Sequence, residues 1–250
     1  MAAVIKTKAE IASMRKGGRL LAEILSDIVA EVKPGITTED LDNRARALCK
    51  KHSVKPAFYG YFDYPAYICV GIDDVAIHGM PSKSDVLVEG QIISIDMGII
   101  FEDLYLDHAT TVAVGSIDSK AERFLSSSKL ALQAGIKNAK VGGYVGDISN
   151  AIETVASMSG YSVITEMTGH GVGRSLHEDP SIPCFGKKGT GEMLKEGMTL
   201  AIEAMINEGD SELIHLDDGW TTLTVDGKRS ALYEHTVLIS KKGPEILTIR

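Results

Sequence analysis

No C-x-x-C pair occurs in this chain, and its three cysteines, Cys49, Cys69 and Cys184, are scattered and odd in number. Neither a zinc finger nor a disulfide framework fits that usage, which suits a reduced, cytosolic setting. Long apolar runs are missing as well. None approaches the roughly 20 residues of a membrane span. The opening stretch, MAAVIKTKAEIASMRKGGRLLAEIL, lacks the apolar core of a signal peptide and reads as an amphipathic helix. Positive charge is in deficit. Lys and Arg number 26 against 34 Asp and Glu, a formal net charge of −8, so the bulk field favours neither nucleic acid nor an anionic membrane. No linker, low-complexity tract or disordered tail breaks the pattern. What remains is an ordinary globular balance over 250 residues, 44% hydrophobic and 24% charged, enough for a large core and fitting one large domain or two small ones.

Apolar positions at helical spacing predict a helix over about 9–31, stopped by Pro34-Gly35, and a second over 38–52 with Thr37 as its N-cap. This unit recurs. The segment VKPGITTEDLDNRARALCKKHSV (32–54) aligns without gaps to KVGGYVGDISNAIETVASMSGY (140–161) at an offset of 107 residues, pairing Gly35 with Gly142 and Asp40 with Asp147. Another helical pattern, 119–138, precedes the second copy. Strand patterns follow each: 91–100 and 103–115 in one, 198–207 and 219–240 in the other, the last read as a hairpin turning at Asp226-Gly227. The expectation is an α+β chain of two similar halves, about 1–115 and 116–250, with a site between them.

Four acids sit where acids are costly. Asp96, Glu203 and Glu234 interrupt apolar strand runs, and Asp107 ends the pattern LYLD. A buried carboxylate needs a partner, a proton or a metal. Few basic residues share these strands, so a metal is the economical solution. A hairpin whose turn centres between residues 101 and 102 would set Asp96 directly opposite Asp107, close enough for the two to bridge a pair of ions. In TGHGVGRSLHEDP, His170 stands between Gly169 and Gly171, where the glycines give it clearance as a further ligand, and His177 follows seven residues on. Such a set suits Mn, Fe, Co or Zn without choosing among them. The glycine-rich segment follows no clear strand and opens no clear helix, which argues against a phosphate cradle. His78, before a Gly-x-Pro turn, is a third histidine of interest. His52, His215 and His235 read as structural, as does His108 apart from its place beside Asp107.

The set His78, Asp96, Asp107, His170, His177, Glu203 and Glu234 resembles that of the type I methionine aminopeptidases, members of the pita-bread metallopeptidases. Blocks such as PGITTEDLD, ICVGIDDVAIHGMP, TGHGVGRSLHEDP and ALYEHTVLI carry the likeness from about residue 5 to 248. The resemblance implies a fold of two pseudo-symmetric halves, antiparallel sheet inside and helices outside, with two divalent ions between them. Their ligands would be Asp96, Asp107, His170, Glu203 and Glu234. It implies attack by a metal-activated hydroxide on the first peptide bond, Glu203 relaying a proton, His177 stabilising the oxyanion and His78 contacting the substrate amide. Phe58, Tyr61, Tyr64, Cys69, Leu176 and Trp220 would hold the methionine. The substrates would be N-termini of nascent chains with a small second residue, met in the cytoplasm by a monomer that can also touch the ribosome surface.

Several positions depart from the family pattern. Leu106 and His108 flank Asp107 where small residues are usual, Leu176 stands where an aromatic is usual, Phe62-Asp63 replaces His-Gly, and Cys184-Phe185 replaces a polar-aromatic pair. Two other readings compete: a sister peptidase acting next to proline, which would carry a large extra N-terminal domain, and a non-catalytic binding protein on the same fold, which would have lost ligands.

Overall fold

A computed structural model describes residues 3–250. The chain opens with two helices, α1 (Lys8–Val29) and α2 (Thr38–His52). Each begins with a reciprocal cap. Thr7 and Glu10 exchange side-chain and backbone hydrogen bonds at α1, and Thr37 and Asp40 do so at α2. Strands β1 (Lys55–Pro56), β2 (Cys69–Ile72), β3 (Val75–Ile77), β4 (Ile92–Phe101) and β5 (Leu104–Ala113) follow. Then the order repeats: helices α3 (Ser119–Asn138) and α4 (Val145–Met158), and strands β6 (Ser162–Val163), β7 (Thr168–Gly171), β8 (Glu178–Pro183) and β9 (Thr199–Asn207). Strands β10 (Leu213–His215), β11 (Thr222–Thr224), β12 (Ser230–Ser240) and β13 (Gly243–Ile246) close the chain. The 107-residue offset carries the first residue of α2 onto the first of α4, and Ile92, which opens β4, onto Thr199, which opens β9.

Two antiparallel sheets form the centre. One pairs β4 with β1, β2 and β5, and the other runs β13-β12-β9-β7-β8 with β6 also on β9. One apolar core packs α1 and α2 against the first sheet through Met14, Leu21, Ile24, Ile93 and Ile95. A second packs α3 and α4 against the other through Phe124, Ile148, Ile202 and Ile206. Burial of these faces is the main stabilising term. The sheets meet where β5 runs beside β12, joined by side chains rather than a ladder. The Asp107 N–H donates to Thr236 Oγ1 at 3.0 Å, and that hydroxyl donates to the Asp107 carbonyl at 2.8 Å. Thr111 does the same with Leu232, its hydroxyl donating to the carbonyl at 2.8 Å and accepting from the N–H at 2.9 Å. This seam brings the acids of the two sheets together.

Two expectations about strands are corrected. The β4–β5 turn is Glu102-Asp103, both with left-handed φ, and not centred between 101 and 102. Asp96 therefore faces Ala109, and Asp107 faces Gly98. The two aspartates still share a face of the sheet, one diagonal step apart. The 219–240 stretch does turn near Asp226-Gly227, yet its arms do not pair. β11 joins β10 and β3, while β12 joins β9 along its length. The glycine-rich segment, for its part, lies in strand β7, hydrogen-bonded to β8 on one side and β9 on the other.

Candidate active site

A cavity of about 290 Å³ opens at the seam between the sheets. Asp96, Asp107, His170, Glu203 and Glu234 line it together with His78, His177 and the apolar set Phe58, Tyr61, Tyr64, Cys69, Leu176 and Trp220. Every residue singled out from the sequence thus reaches one space. Ile77, Met167, Thr168 and Met205 line it as well. No charge or spacing signal marked these, because an apolar residue in a strand looks the same whether it faces core or cleft.

Ligand-capable atoms of Asp107, His170 and Glu234 all lie within 4.8 Å of one another. His170 Nε2 is 3.7 Å from Glu203 Oε1. The other nitrogen of His170, Nδ1, donates to the Gly171 carbonyl at 2.9 Å, which leaves Nε2 with its lone pair facing the acids. The glycines beside it do something other than clear the ring. A Cβ at Gly169 would lie 2.6 Å from the Ala201 carbonyl oxygen, and one at Gly171 2.3 Å from that of Asp179. Glycine is what lets β7 lie this close to its neighbours and deliver His170 to the seam.

Burial drives the electrostatics. It pushes the carboxyls of Asp96, Glu203 and Glu234 well above their ordinary range, and each is raised further by neighbouring acids. Asp107 is pushed up to about 7, again chiefly by burial. His170 is pushed down to about 3 by burial and then by His177, so it is neutral and able to ligate. No Lys or Arg lines the cavity. Asp96 Oδ1 and Glu234 Oε1 are buried without a hydrogen-bond partner. Four acids, one neutral imidazole and two orphaned carboxylate oxygens fit a divalent cation: its charge offsets the desolvation and repulsion that keep these groups protonated.

Around this cluster the apolar side is closed by rings. Trp220 meets Tyr64 edge-on at 4.9 Å and His78 at 6.4 Å between ring centroids. Tyr64 is anchored by its hydroxyl, which donates to the carbonyls of Ile68 and Gly79. Burial lowers His78 to about 4. His177 stands at the mouth, its ring edge-on to His170 at 4.4 Å. Its loop is tied down from behind by the buried ion pair of Lys6 with Glu178. Glu178 also accepts from the N–H groups of Arg174 and Ser175. Neither Lys6 nor Glu178 was marked by the sequence, because a lone Lys near the start of a chain reads as a solvated charge. None of the four histidines read as structural, His52, His108, His215 and His235, lines the cavity. His108 donates from Nδ1 to the Glu234 carbonyl at 2.6 Å and stacks on His235 at 4.5 Å, both on the far side of the strands from the cavity, and His215 pairs with Glu166. All three cysteines are free and buried.

The comparisons with known proteins agree with this geometry. Residues 12–241 match the model of metallopeptidase family M24. The methionine aminopeptidase of Clostridium perfringens is 43% identical over 246 residues, covering 98% of each chain. A crystal structure of methionine aminopeptidase from Thermotoga maritima superposes with a TM-score of 0.97 at 42% identity, covering 100% of both chains. A prolidase from Pyrococcus furiosus shares the fold, with a TM-score of 0.78 at 23% identity, and this chain spans 66% of it. The chain belongs to metallopeptidase family M24, and its fold is the pita-bread fold.

Proposed function

We propose that this protein is a metal-dependent aminopeptidase that removes the N-terminal methionine from peptides and nascent chains whose second residue is small. The observation that carries the reading is one cavity lined by four clustered acids and a histidine and, beside them, by an apolar, aromatic-rich set of side chains. Asp96, Asp107, His170, Glu203 and Glu234 would hold the ions. A divalent ion in such a site lowers the pKa of water and polarises a carbonyl.

The chain's own residues divide the remaining work. Phe58, Tyr64, Cys69, Leu176 and Trp220 exclude water from the methionine side chain, which sets the first peptide bond over the acids. His78, neutral through burial, contacts the substrate amide. His177, also held below its usual pKa by partial desolvation, donates to the scissile oxygen as negative charge develops there. Glu203, placed in the cluster 3.7 Å from His170 Nε2, relays a proton to the leaving amine. The second side chain of the substrate lies against the acid cluster rather than in a pocket of its own, which is why it must be small. No described helix is long and apolar enough to cross a membrane, and the nascent-chain substrate fits a cytoplasmic enzyme.

The test is a peptide panel. Metal-stripped protein is refilled with Mn, Fe, Co or Zn and given Met-Gly, Met-Ala, Met-Leu and Met-Arg peptides alongside x-Pro peptides. Release of methionine from the first two alone is expected. Equal rates across the panel would overturn the substrate assignment, and cleavage beside proline would reassign the chain to the prolidase branch of its family.

A further inference from the structure

The loop Gly60–Tyr64 is an unusual way to build a pocket wall. Phe62 and Asp63 both take left-handed backbone angles, with φ of 46° and 66°, in a stretch where only Gly60 is suited to them. The turn is held by four backbone hydrogen bonds: Gly60 N–H to the Tyr64 carbonyl, Tyr61 N–H to the Phe58 carbonyl, Asp63 N–H to the Gly60 carbonyl and Tyr64 N–H to the Tyr61 carbonyl. Phe62 spends itself outside the core, 77% exposed, with its ring edge-on to Tyr61 at 4.7 Å. All of this orients a single phenol. Tyr61 Oη lies 2.7 Å from His177 Nδ1, across 116 residues of sequence.

We propose that Tyr61 is a positioning residue, holding His177 as the tautomer that is bare at Nδ1 and protonated at Nε2. A phenol O–H donates more strongly than a neutral imidazole N–H, and an imidazole nitrogen accepts more strongly than a phenol oxygen. The pairing therefore runs O–H to Nδ1. With Nδ1 occupied as an acceptor, the one ring proton sits on Nε2, the nitrogen left free to serve the cleft. The opposite tautomer would present a lone pair to the developing oxyanion and repel it. Without the phenol the imidazole would sample both tautomers and rotate about its side-chain bonds. His170 shows the same device within the same cavity, its Nδ1 committed to the Gly171 carbonyl, so two adjacent imidazoles are fixed in opposite senses. His170 is bare at Nε2 for an ion, and His177 is protonated at Nε2 for an oxygen. This deepens the proposed function, since the consequence for turnover rests on His177 acting as the oxyanion donor.

The experiment has two arms. In the first, zinc-loaded protein labelled with ¹⁵N-histidine is examined by long-range ¹H–¹⁵N correlation, with His177 assigned by loss of its signals in His177→Ala. A bare, hydrogen-bonded Nδ1 and a protonated Nε2 are expected, becoming a mixture in Tyr61→Phe. A protonated Nδ1 in the parent overturns the proposal, whatever the substrate proves to be. In the second arm, Tyr61→Phe and the parent are loaded with the same metal, checked for equal metal content, and assayed on a Met-Ala-x peptide. Loss of one positioned hydrogen bond is expected to lower kcat about tenfold with KM within about twofold. A raised KM with kcat unchanged would make Tyr61 a pocket wall and nothing more. Adding Tyr61→Phe to His177→Ala should cost almost nothing further, and a full additive loss would show that Tyr61 acts independently of His177.

Discussion

The β4–β5 hairpin and the β9–β12 pair floor the same cavity, yet they present their acids differently. In β9–β12, Glu203 stands directly opposite Glu234. In β4–β5, Asp107 stands opposite Gly98, and Asp96 lies one diagonal step away. Asp96 and Glu203 are 107 residues apart, the offset of the repeated helices, so Asp96 holds in β4 the place that Glu203 holds in β9. What differs is the partner: Ala109 faces Asp96 where Glu234 faces Glu203, and the second acid of the first half, Asp107, faces Gly98 instead. Gly98 leaves no room for a side chain there, since a Cβ on it would sit 2.8 Å from Ala57 Cβ and 2.9 Å from Cε1 of Phe58, which lines the cavity.

The sharpest way to break this comparison is to remove one acid from each pair. Asp107→Asn and Glu234→Gln preserve shape and remove charge from the two acids whose ligand atoms group with His170 within 4.8 Å. Each is expected to lose more than about 10²-fold in metal affinity, since even groups that only support a ligand cost 10–100-fold, and turnover should fall to background. Asp96→Asn and Glu203→Gln should lose less affinity. Calorimetric titration with Mn or Co measures all four. If the outer pair proves the more damaging to lose, the inner trio of Asp107, His170 and Glu234 is not the primary site.

A second contrast lies in the two histidines of one segment. His177→Ala should keep its metal and lose about 10²–10³-fold in kcat, the usual effect of deleting one oxyanion donor. His170→Ala should lose metal instead. Elemental analysis and turnover at saturating metal distinguish them. Retained metal in His170→Ala together with lost metal in His177→Ala would exchange their roles.

Much of this was legible in the sequence because the cost of misplaced charge is legible. Asp96, Asp107, Glu203 and Glu234 stand out from apolar strands, and the second helix announced its start at Thr37, whose side chain accepts from the Asp40 N–H. Register was harder to read. A one-residue shift in the position of the turn moved the partner of Asp96 from Asp107 to Ala109, and alternation along a strand is blind to a shift of two. The hairpin expected over 219–240 failed for a related reason: a Asp-Gly turn fixes a reversal of direction, not which neighbour each arm then finds. Long-range clamps were invisible. Lys6 and Glu178 are 172 residues apart, and nothing local distinguishes a buried ion pair from two solvated charges.

The acids also set a pH dependence with a definite sign. Asp107 has an ordinary value of 3.8 and a folded value of about 7. Below 3.8 it is protonated in both folded and unfolded chains and costs nothing. Between those values the folded protein keeps a proton that the unfolded chain releases, so stability falls as pH rises through the window and levels off above it. Asp96, Glu203 and Glu234 shift in the same direction. The buried histidines His78, His108, His170 and His235, held below their usual value by burial, act in the opposite sense up to about pH 6.5, so the share of Asp107 is read by difference. Between about pH 5 and about pH 7 the melting temperature of the chelated parent should fall relative to that of chelated Asp107→Asn. Metal binding expels the acids' protons, so affinity should rise roughly tenfold per pH unit for each proton released below about pH 7. Parallel curves for parent and variant would show that Asp107 is paired some other way.

The smallest expected effect tests what the space opposite Asp107 serves. Gly98→Ala adds one methyl group where β4 meets the pocket wall. Its φ lies outside the left-handed range, so the backbone tolerates the change. The cost falls on Ala57 and Phe58, which must yield by several tenths of an ångström. Overpacking at this scale costs on the order of 1 kcal/mol, and here it is spent narrowing the methionine pocket. KM for a Met-Ala-x peptide should rise about fivefold, with kcat and metal content close to the parent's. A peptide starting with the straight-chain norleucine should suffer no more than methionine does. If Gly98→Ala instead weakens metal binding with KM unchanged, the space opposite Asp107 belongs to the acid cluster and not to the pocket.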